Sequence, residues 1–301
     1  MTSLRLATRR SPLALAQAEA VRRRLVARGV ECELVEVETH GDRHVDAPLE
    51  SMGGQGVFAV EVQRVVLRGD ADVAVHSAKD LPSSTPEGLA LACVPERRDA
   101  ADVLIGRSLA GLGPGATVAT GSPRRRALLL ERRPDLRVVG LRGNMATRIA
   151  SAGRDGVDAV VAAMAALERL NEDRLVSERL DPSWFVPQVG QGAIALEVRS
   201  DDSRVREVVD GINDHVAFTC VRAERSFLAE LGAGCTIPAG ANAEMLAGVI
   251  SLSGVMLALD GTRSLRATIE GDDPIAIGAE LARILRDHMG GASLQGWRDA
   301  Q

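Results

Sequence analysis

The stretch VAVHSAKDLP, residues 73–82, runs from an apolar, β-branched segment into a cation, a carboxylate and a proline. This pattern predicts a β-strand at residues 73–76 that ends in a loop. In open α/β sheets, ligands are held just past the carboxyl ends of the strands. The cation is Lys79, the only lysine of the chain, and Asp80 follows it directly. This strand end is therefore the first candidate for a functional site.

Strand-like and helix-like segments alternate along the first two thirds of the chain. Further strands are predicted at residues 4–7, 34–39, 103–105, 118–120, 138–141 and 157–162. Helices are predicted at residues 57–67, 122–133, 144–152 and 163–170. Another helix is capped by Ser11 and begins at Pro12, because proline suits the first helical position. Its apolar stripe is predicted to comprise Ala14, Ala18, Val21 and Leu25. The alternation predicts an α/β fold with mainly parallel sheets.

The pattern changes beyond about Val216. A predicted helix at residues 216–231 is followed by predicted strands at residues 247–252, 255–259 and 265–269, and by a helix from residue 274 to about 289. Three neighbouring strands and a closing helix predict a small α+β domain with an antiparallel sheet.

Composition excludes several classes of protein. The formal net charge is −5 and the aromatic residues are four Phe and two Trp, so neither a nucleic-acid-binding surface nor a base-stacking platform is expected. No apolar run approaches the length of a membrane span, and no early segment has the features of an export signal. The cysteines and histidines lack metal-binding spacing. We expect a cytoplasmic, metal-free protein with no nucleic-acid or membrane partner.

Basic and hydroxyl side chains gather at the predicted strand ends and helix starts. They are Arg9, Ser11, Lys79, Ser122, Arg124, Arg125, Arg142 and Arg148. Helix N-termini attract anions, and the planar fork of arginine fits a carboxylate bidentately. So many such groups in one chain predict a ligand with several carboxylates.

Two further residues are candidates for a part in a chemical reaction. Asp80 sits among these cations, either as a salt-bridge partner or as an acid that stabilises a cationic intermediate and moves a proton. Cys235 follows Gly-Ala-Gly, which presents its thiol on a tight loop, although a free cysteine is usually a small buried hydrophobe. The residues alone predict a two-lobed protein that binds a polyanion.

Six runs of the chain carry a resemblance to a known family. They are RLATRRSPLA (5–14), VHSAKDLP (75–82), SPRR (122–125), LRGNMATR (141–148), VGQGA (189–193) and GCTIP (234–238). Together they closely resemble the hydroxymethylbilane synthase (porphobilinogen deaminase) family, in the family's order and spacing across nearly the whole chain.

The resemblance implies two lobes similar to periplasmic binding proteins, with mainly parallel sheets, and a small C-terminal α+β domain. Lobe 1 comprises residues 1–95 and 193–212, lobe 2 residues 96–192, and the C-terminal domain residues 213–301. It also implies a monomeric enzyme that joins four porphobilinogen molecules head to tail, each losing ammonia. Water then releases hydroxymethylbilane, which uroporphyrinogen-III synthase receives.

The resemblance also implies a role for each matching residue. Cys235 holds a dipyrromethane cofactor through a thioether bond, and Asp80 acts on the pyrrole nitrogens and in proton transfer. Phe58 matches a lid residue. The acetate and propionate groups are bound by Arg9, Ser11, Lys79, Ser122, Arg124, Arg125, Arg142, Arg148 and Arg169. The chain departs from the family in its lid loop, where many members have lysine at the positions of Ser51, Gln55 and Val60. It also departs at Gly121, where serine is frequent in the family, and at Pro123, where leucine is frequent.

Two other functions remain open. A non-catalytic binding protein for an anionic metabolite would share the two-lobed architecture. It predicts an export signal or a DNA-binding appendage, neither of which is visible, and it gives Cys235 no task. An RNA-binding protein would use the arginines, but the net charge and the scarcity of aromatic residues oppose it.

Overall fold

Three sheets organise the part of the chain that the structure describes, and several candidate residues follow the ends of their strands. The computed structural model describes residues 3–38, 59–232 and 238–297. The chain divides into two compact units. The first comprises Met1–Arg98 and Ala193–Thr219, and the second comprises Asp99–Gly192 and Cys220–Gln301.

The helices and strands of the described ranges follow in chain order. The strands are β1 (Ser3–Arg9), β2 (Glu31–Val37), β3 (Val73–Ser77), β4 (Leu89–Cys93), β5 (Asp102–Ile105), β6 (Thr117–Ala119), β7 (Arg137–Val139), β8 (Ala159–Ala163), β9 (Val176–Arg179), β10 (Ile194–Arg199), β11 (Ala239–Leu246), β12 (Val249–Leu257) and β13 (Ser264–Gly271). The helices are α1 (Pro12–Val26), α2 (Val60–Leu67), α3 (Pro123–Arg132), α4 (Met145–Ala150), α5 (Met164–Leu170), α6 (Ser203–Asp210), α7 (His215–Glu230) and α8 (Pro274–Arg283). None of them has both the length and the apolar character needed to cross a membrane.

The sheet of the first unit has the strand order β2-β1-β3-β10-β4. Strand β1 pairs parallel with β2 and β3, whereas β10 pairs antiparallel with β3 and β4. Strands β1 to β4 therefore run in one direction and β10 in the other, which confirms a mainly parallel sheet. Helix α1 buries Ala18, Val21 and Leu25 against this sheet, as its apolar spacing predicts.

The first sheet of the second unit repeats this design with the order β7-β6-β8-β5-β9. Strand β6 pairs parallel with β7 and β8, and β5 pairs antiparallel with β8 and β9. Because β6 and β7 are parallel neighbours, the loops that follow them start from the same edge of the sheet. The predicted Ser122 and Arg142 loops are those two loops.

The antiparallel sheet β11-β12-β13 confirms the small α+β fold, but two of its predicted strands are wrong. The sequence predicts separate strands at residues 247–252 and 255–259, whereas β12 is continuous and β11 precedes it. The gap between the two predicted strands falls at Ser253-Gly254. A Cβ on Gly254 would lie 2.9 Å from Leu281 Cδ2, so the glycine instead lets α8 approach the strand. Strand β11 went unpredicted because alanine and glycine are weak strand formers.

The C-terminal sheet shares a hydrophobic core with the sheet that precedes it in the second unit. Val255 and Leu257 of β12 pack in one cluster with Leu128 and Phe185. Gly261 has a φ of +75°, and a Cβ there would lie 2.6 Å from the carbonyl oxygen of Ala127 in α3. Residues 96–192 and 213–301 are thus joined by a common core, and their division into separate domains stays a prediction.

Candidate functional site

A pocket lies at the carboxyl ends of β1 and β3 in the first unit. Arg9 ends β1, and Ser77 ends the parallel neighbour β3. The pocket is open to solvent. It is lined by Arg9, Ser11, Leu13, Ala14, Gln17, Val75, His76, Ser77 and Asp80. The predicted residues Arg9, Ser11 and Asp80 are therefore brought together, while Lys79 is not among the described lining residues.

Local sequence explains how these side chains are presented. Ser11 caps α1 by accepting a hydrogen bond from the Ala14 N–H at 3.3 Å, and Pro12 starts the helix. Beyond β3, Ala78–Asp80 form one 3₁₀ turn, and Leu81-Pro82 ends it. The N-terminus of α1 and the turn that carries Asp80 both border the pocket.

Asp80 is half-buried in this pocket. Its carboxylate makes no hydrogen bond or ion pair with another residue that the structure describes. A structural carboxylate that is partly withdrawn from water is normally paired. The geometry therefore argues against the salt-bridge interpretation of Asp80 and leaves its oxygens available to a ligand.

Gln17 is a pocket residue that the sequence analysis missed. It is 3% exposed, and its Nε2 donates to Ser77 Oγ at 2.7 Å, which joins α1 to the end of β3. The apolar spacing predicts that Ala14 is buried with Ala18, Val21 and Leu25, whereas the residues that the helix buries are Gln17, Ala18, Val21 and Leu25. A polar residue three positions after Ala14 lies on the predicted apolar face, and that was the available signal.

A buried polar cluster stands behind the pocket wall. Glu197 of β10 is fully buried, and its Oε2 lies 3.2 Å from His76 Nε2. Gln63 Nε2 of α2 donates to the same oxygen at 2.7 Å. Because His76 also lines the pocket, the cluster ties the sheet and α2 to the pocket wall.

The second candidate cluster lies at the start of α3 in the second unit. Ser122 caps the helix by accepting from the Arg125 N–H at 3.4 Å. Both arginines of the first turn, Arg124 and Arg125, are buried and contact Asp102 of β5. The sequence did not predict this ion pair, since Asp102 lies 22 residues before Arg124.

Asp102 is fully buried and accepts hydrogen bonds from both guanidinium groups. Arg124 Nη2 donates at 2.7 Å, and Arg125 donates from Nε at 3.0 Å and from Nη2 at 2.7 Å. Burial by itself would raise the pKa of this carboxyl, but the charges of the two arginines outweigh burial and lower the pKa to about 2. The carboxylate is therefore ionised at any pH near neutrality.

Two guanidinium charges against one carboxylate leave one net positive charge in this buried cluster. Arg124 is 2% exposed, and its Nε has no hydrogen-bond partner in the described ranges. A buried charge without a counterion is unfavourable, so the cluster is suited to receive one anionic group. This fits a ligand that bears carboxylates.

Two further predicted arginines follow β7 in the chain, Arg142 on the loop after the strand and Arg148 in helix α4. Arg142 is exposed and follows β7, the parallel neighbour of β6. A Cβ on Gly121 would lie 2.7 Å from the Leu141 carbonyl oxygen, so the glycine permits the two loops to touch. Arg148 Nε donates to the Gly143 carbonyl at 2.9 Å, and Asn144 caps α4 by accepting from the Thr147 N–H at 3.0 Å.

The loop at residues 190–192 connects several of these groups. Gln191 Nε2 donates to Asp102 Oδ1 at 2.9 Å and to the Ala100 carbonyl at 2.7 Å. Arg169 Nη2 donates to the Gly192 carbonyl at 2.8 Å. Glu224 of α7 accepts from the Gly190 N–H at 2.7 Å. The motif VGQGA, to which the residues alone assigned no role, thus anchors the arginine cluster.

Cys235 and Phe58 lie outside the described residues, as do Ser51 and Gln55. Of the described thiols, Cys93 and Cys220 are buried and Cys32 is half-buried. Burial raises the pKa of the Cys93 and Cys32 thiols, which disfavours the reactive thiolate. Within the described ranges, no group of three or more metal-ligating side chains forms.

The strand that follows Cys235 in the chain lies against the arginine cluster. A Cβ on Gly240 would lie 2.5 Å from the Pro187 carbonyl oxygen and 3.0 Å from Arg124 Cδ. In the sequence, Gly240 follows Cys235 by five residues.

Comparison with known proteins gives one consistent family. Residues 4–207 match the family model described as porphobilinogen deaminase, dipyromethane cofactor binding domain, and residues 218–287 match porphobilinogen deaminase, C-terminal domain. The chain is 43% identical over 275 residues to a porphobilinogen deaminase of Geobacter sulfurreducens, covering 90% of this chain and 86% of the relative. It is 41% identical to that of Pelobacter propionicus, covering 97% and 96%. The solved methionine-binding protein MetQ aligns with a TM-score of 0.44 and 13% identity, covering 70% of this chain and 89% of that chain.

Proposed function

This chain belongs to the porphobilinogen deaminase family, and from that premise we propose how its residues perform the family's reaction. It is a transferase of tetrapyrrole biosynthesis. It deaminates four porphobilinogen molecules, joins them head to tail on a dipyrromethane primer, and releases hydroxymethylbilane. The roles of individual residues in this reaction are our proposal.

The residue assignment rests on one observation, the environment of the Asp80 carboxylate. This half-buried carboxylate shares a pocket with Arg9 and Ser11 and has no hydrogen-bond or ion-pair partner among the described residues. Loss of ammonia from porphobilinogen leaves an electron-poor carbon conjugated to the pyrrole nitrogen. A preorganised carboxylate stabilises positive charge that develops beside it, and it accepts a proton when the ring regains aromaticity. Asp80 is the catalytic residue of this proposal.

The basic residues bind the acetate and propionate groups of each pyrrole. The proposed set is Arg9, Ser11, Lys79, Ser122, Arg124, Arg125, Arg142, Arg148 and Arg169. Charge-assisted hydrogen bonds to a carboxylate are about twice as strong as neutral ones, and several of them orient a ring for attack. The overall charge of −5 does not oppose this role, because binding depends on the local concentration of cations.

The dipyrromethane, when bound, supplies the pyrrole primer to which substrate units are added. We propose that Cys235 holds it and that Arg124 and Arg125 bind one of its carboxylates. The uncompensated positive charge beside Asp102 and the approach of Gly240 to Arg124 support this placement. The described cysteines are poor alternatives, because Cys93 and Cys220 are buried.

We further propose that the protein works as a cytoplasmic monomer and that its product passes to uroporphyrinogen-III synthase. The substrate partner, porphobilinogen, follows from the family. Hydroxymethylbilane is released by water and is the linear precursor that a ring-closing enzyme must receive.

Purified protein incubated with porphobilinogen tests the function. We expect one hydroxymethylbilane for every four molecules of porphobilinogen consumed, together with release of ammonia. The intact mass should exceed the sequence mass by two linked pyrrole units. A receptor for anionic metabolites would bind porphobilinogen without releasing ammonia, and that result would refute the function.

Replacing Arg142 tests the carboxylate-binding assignment. Because Arg142 is exposed, Arg142→Leu should leave the melting temperature nearly unchanged. Loss of one charged hydrogen bond should raise the KM for porphobilinogen about 10- to 100-fold. Arg137→Leu is the matched control, because Arg137 is exposed at the opposite end of the same strand, β7. Equal KM values in the two variants would remove Arg142 from the site.

A further inference from the structure

Asp102 is a buried carboxylate to which the proposed reaction assigns no part. It lies at the start of β5, where its side chain contacts Arg124 and Arg125. Both arginines belong to the proposed ligand-binding set.

The main chain of Asp102 is held on two sides. Strand β5 pairs Asp102 with Ala163 of β8, and the Asp102 carbonyl accepts from the Leu180 N–H at 2.9 Å. The Gln191 amide then fixes one carboxylate oxygen at 2.9 Å. A carboxylate fixed in this way imposes its own position on the longer and more flexible arginine side chains.

The arginines are oriented by Asp102 and by two carbonyl groups. Arg124 Nη1 donates to Val186 O at 2.6 Å, and Arg125 Nη1 donates to Val161 O at 3.1 Å. Three of the five N–H groups of Arg124 and two of those of Arg125 remain without a bond to a described residue. Asp102 thus accepts hydrogen bonds from some of the guanidinium N–H groups and leaves others available to a ligand.

The charge of the cluster sets how many anionic groups it can receive. Without Asp102, two adjacent buried guanidinium groups would carry two positive charges and repel each other. With Asp102 the net charge is a single positive charge, which one carboxylate neutralises. The unbalanced charge does not stabilise the fold, since buried ion clusters are most stable when they are neutral. A purely structural role therefore does not explain it.

We propose that Asp102 is a positioning residue that aligns Arg124 and Arg125 and limits them to one ligand carboxylate. This inference rests on the proposed function, because the ligand is the dipyrromethane or the porphobilinogen from which it is built. Asp102 touches neither and acts through the arginines. Its removal should therefore slow cofactor assembly, even in protein that remains folded.

The test uses the full-length chain produced in cells that cannot make porphobilinogen. Porphobilinogen is then added, and intact mass follows the fraction of protein that gains the adduct. We expect Asp102→Asn, which keeps the shape and removes the charge, to assemble the adduct on the order of 10- to 100-fold more slowly than wild type. Asp99→Asn should assemble it at the wild-type rate.

Asp99 is a matched control because it holds another arginine of the second unit. It accepts from Arg179 Nε at 2.6 Å and from Nη2 at 2.9 Å, and neither residue belongs to the proposed ligand-binding set. A general loss of stability would affect both variants. A loss of arginine alignment would affect only Asp102→Asn.

An Asp102→Asn protein that assembles the adduct at the wild-type rate would overturn the proposal. If that variant does not fold, Asp102→Glu takes its place, since it keeps the charge and pushes the carboxylate towards the arginines. Slower assembly than wild type is then expected, and an unchanged rate again refutes the proposal. Failure of wild-type protein to gain an adduct or to release ammonia would refute the proposed function instead, so the two failures are distinguishable.

Discussion

A Cys235→Ser protein is expected to fold and to carry no dipyrromethane, with complete loss of hydroxymethylbilane synthesis. An alkoxide is far harder to form than a thiolate near neutral pH, so serine cannot replace the attacking sulfur. The intact mass of the variant should equal its sequence mass, whereas the wild type should be heavier by two pyrrole units. Peptide mapping of the wild type should place the adduct on the fragment that contains Cys235.

Cys32→Ser is the matched control for this experiment. Cys32 is the most exposed thiol of the described residues, being half-buried, and burial raises its pKa. The control should keep both the adduct and the activity. An adduct on Cys32, Cys93 or Cys220, or full activity of wild-type protein with an unmodified mass, would contradict the assignment of Cys235.

An Asp80→Asn protein is expected to lose condensation activity by about 10²- to 10³-fold, the usual cost of removing one preorganised electrostatic group. Stability should change little, because Asp80 makes no ion pair with a described residue whose loss could destabilise the fold. Turnover and melting temperature should be measured on the same preparation. A large fall in melting temperature with normal turnover of the folded fraction would restore the salt-bridge interpretation.

Asp72→Asn is the matched control in the same unit, because it should lower stability and leave turnover unchanged. Asp72 accepts hydrogen bonds from the main chain and side chain of Arg5, which, against the effect of burial, lower its pKa. Its amide variant should lose about 1–3 kcal/mol of stability and keep normal turnover at a temperature where it is folded. Comparing the two variants therefore distinguishes a catalytic carboxylate from a structural one.

Local signals in the sequence were sufficient for the elements that present the site. Ser11-Pro12, Ser122-Pro123 and Asn144 each predict a helix start, and each of these residues caps a helix in the structure. The strand that leads to Asp80 extends to Ser77, one residue beyond its predicted end. Caps and strand ends depend on neighbours within a few residues, so one sequence contains their cause.

The C-terminal sheet shows where local reasoning failed. Gly254 interrupts an apolar run, and a glycine in such a place commonly marks a strand end. Here it lies within β12, because Leu281 and Leu285 pack against its Cα. The helix that requires the glycine begins 20 residues later in the chain, at Pro274, so no local window contains the reason.

The sequence by itself determined the family, the strand-end positions of the candidate residues, and the chemistry of a ligand with several carboxylates. Only the tertiary structure decided which of those residues have partners within the protein. It left Asp80 unpaired among the described residues, joined Arg124 and Arg125 to Asp102, and attached Gln191 to the same carboxylate. The physical reason is that an ion pair depends on which strands become neighbours. Strand order brings β5 beside β8, and that adjacency is a property of the whole sheet.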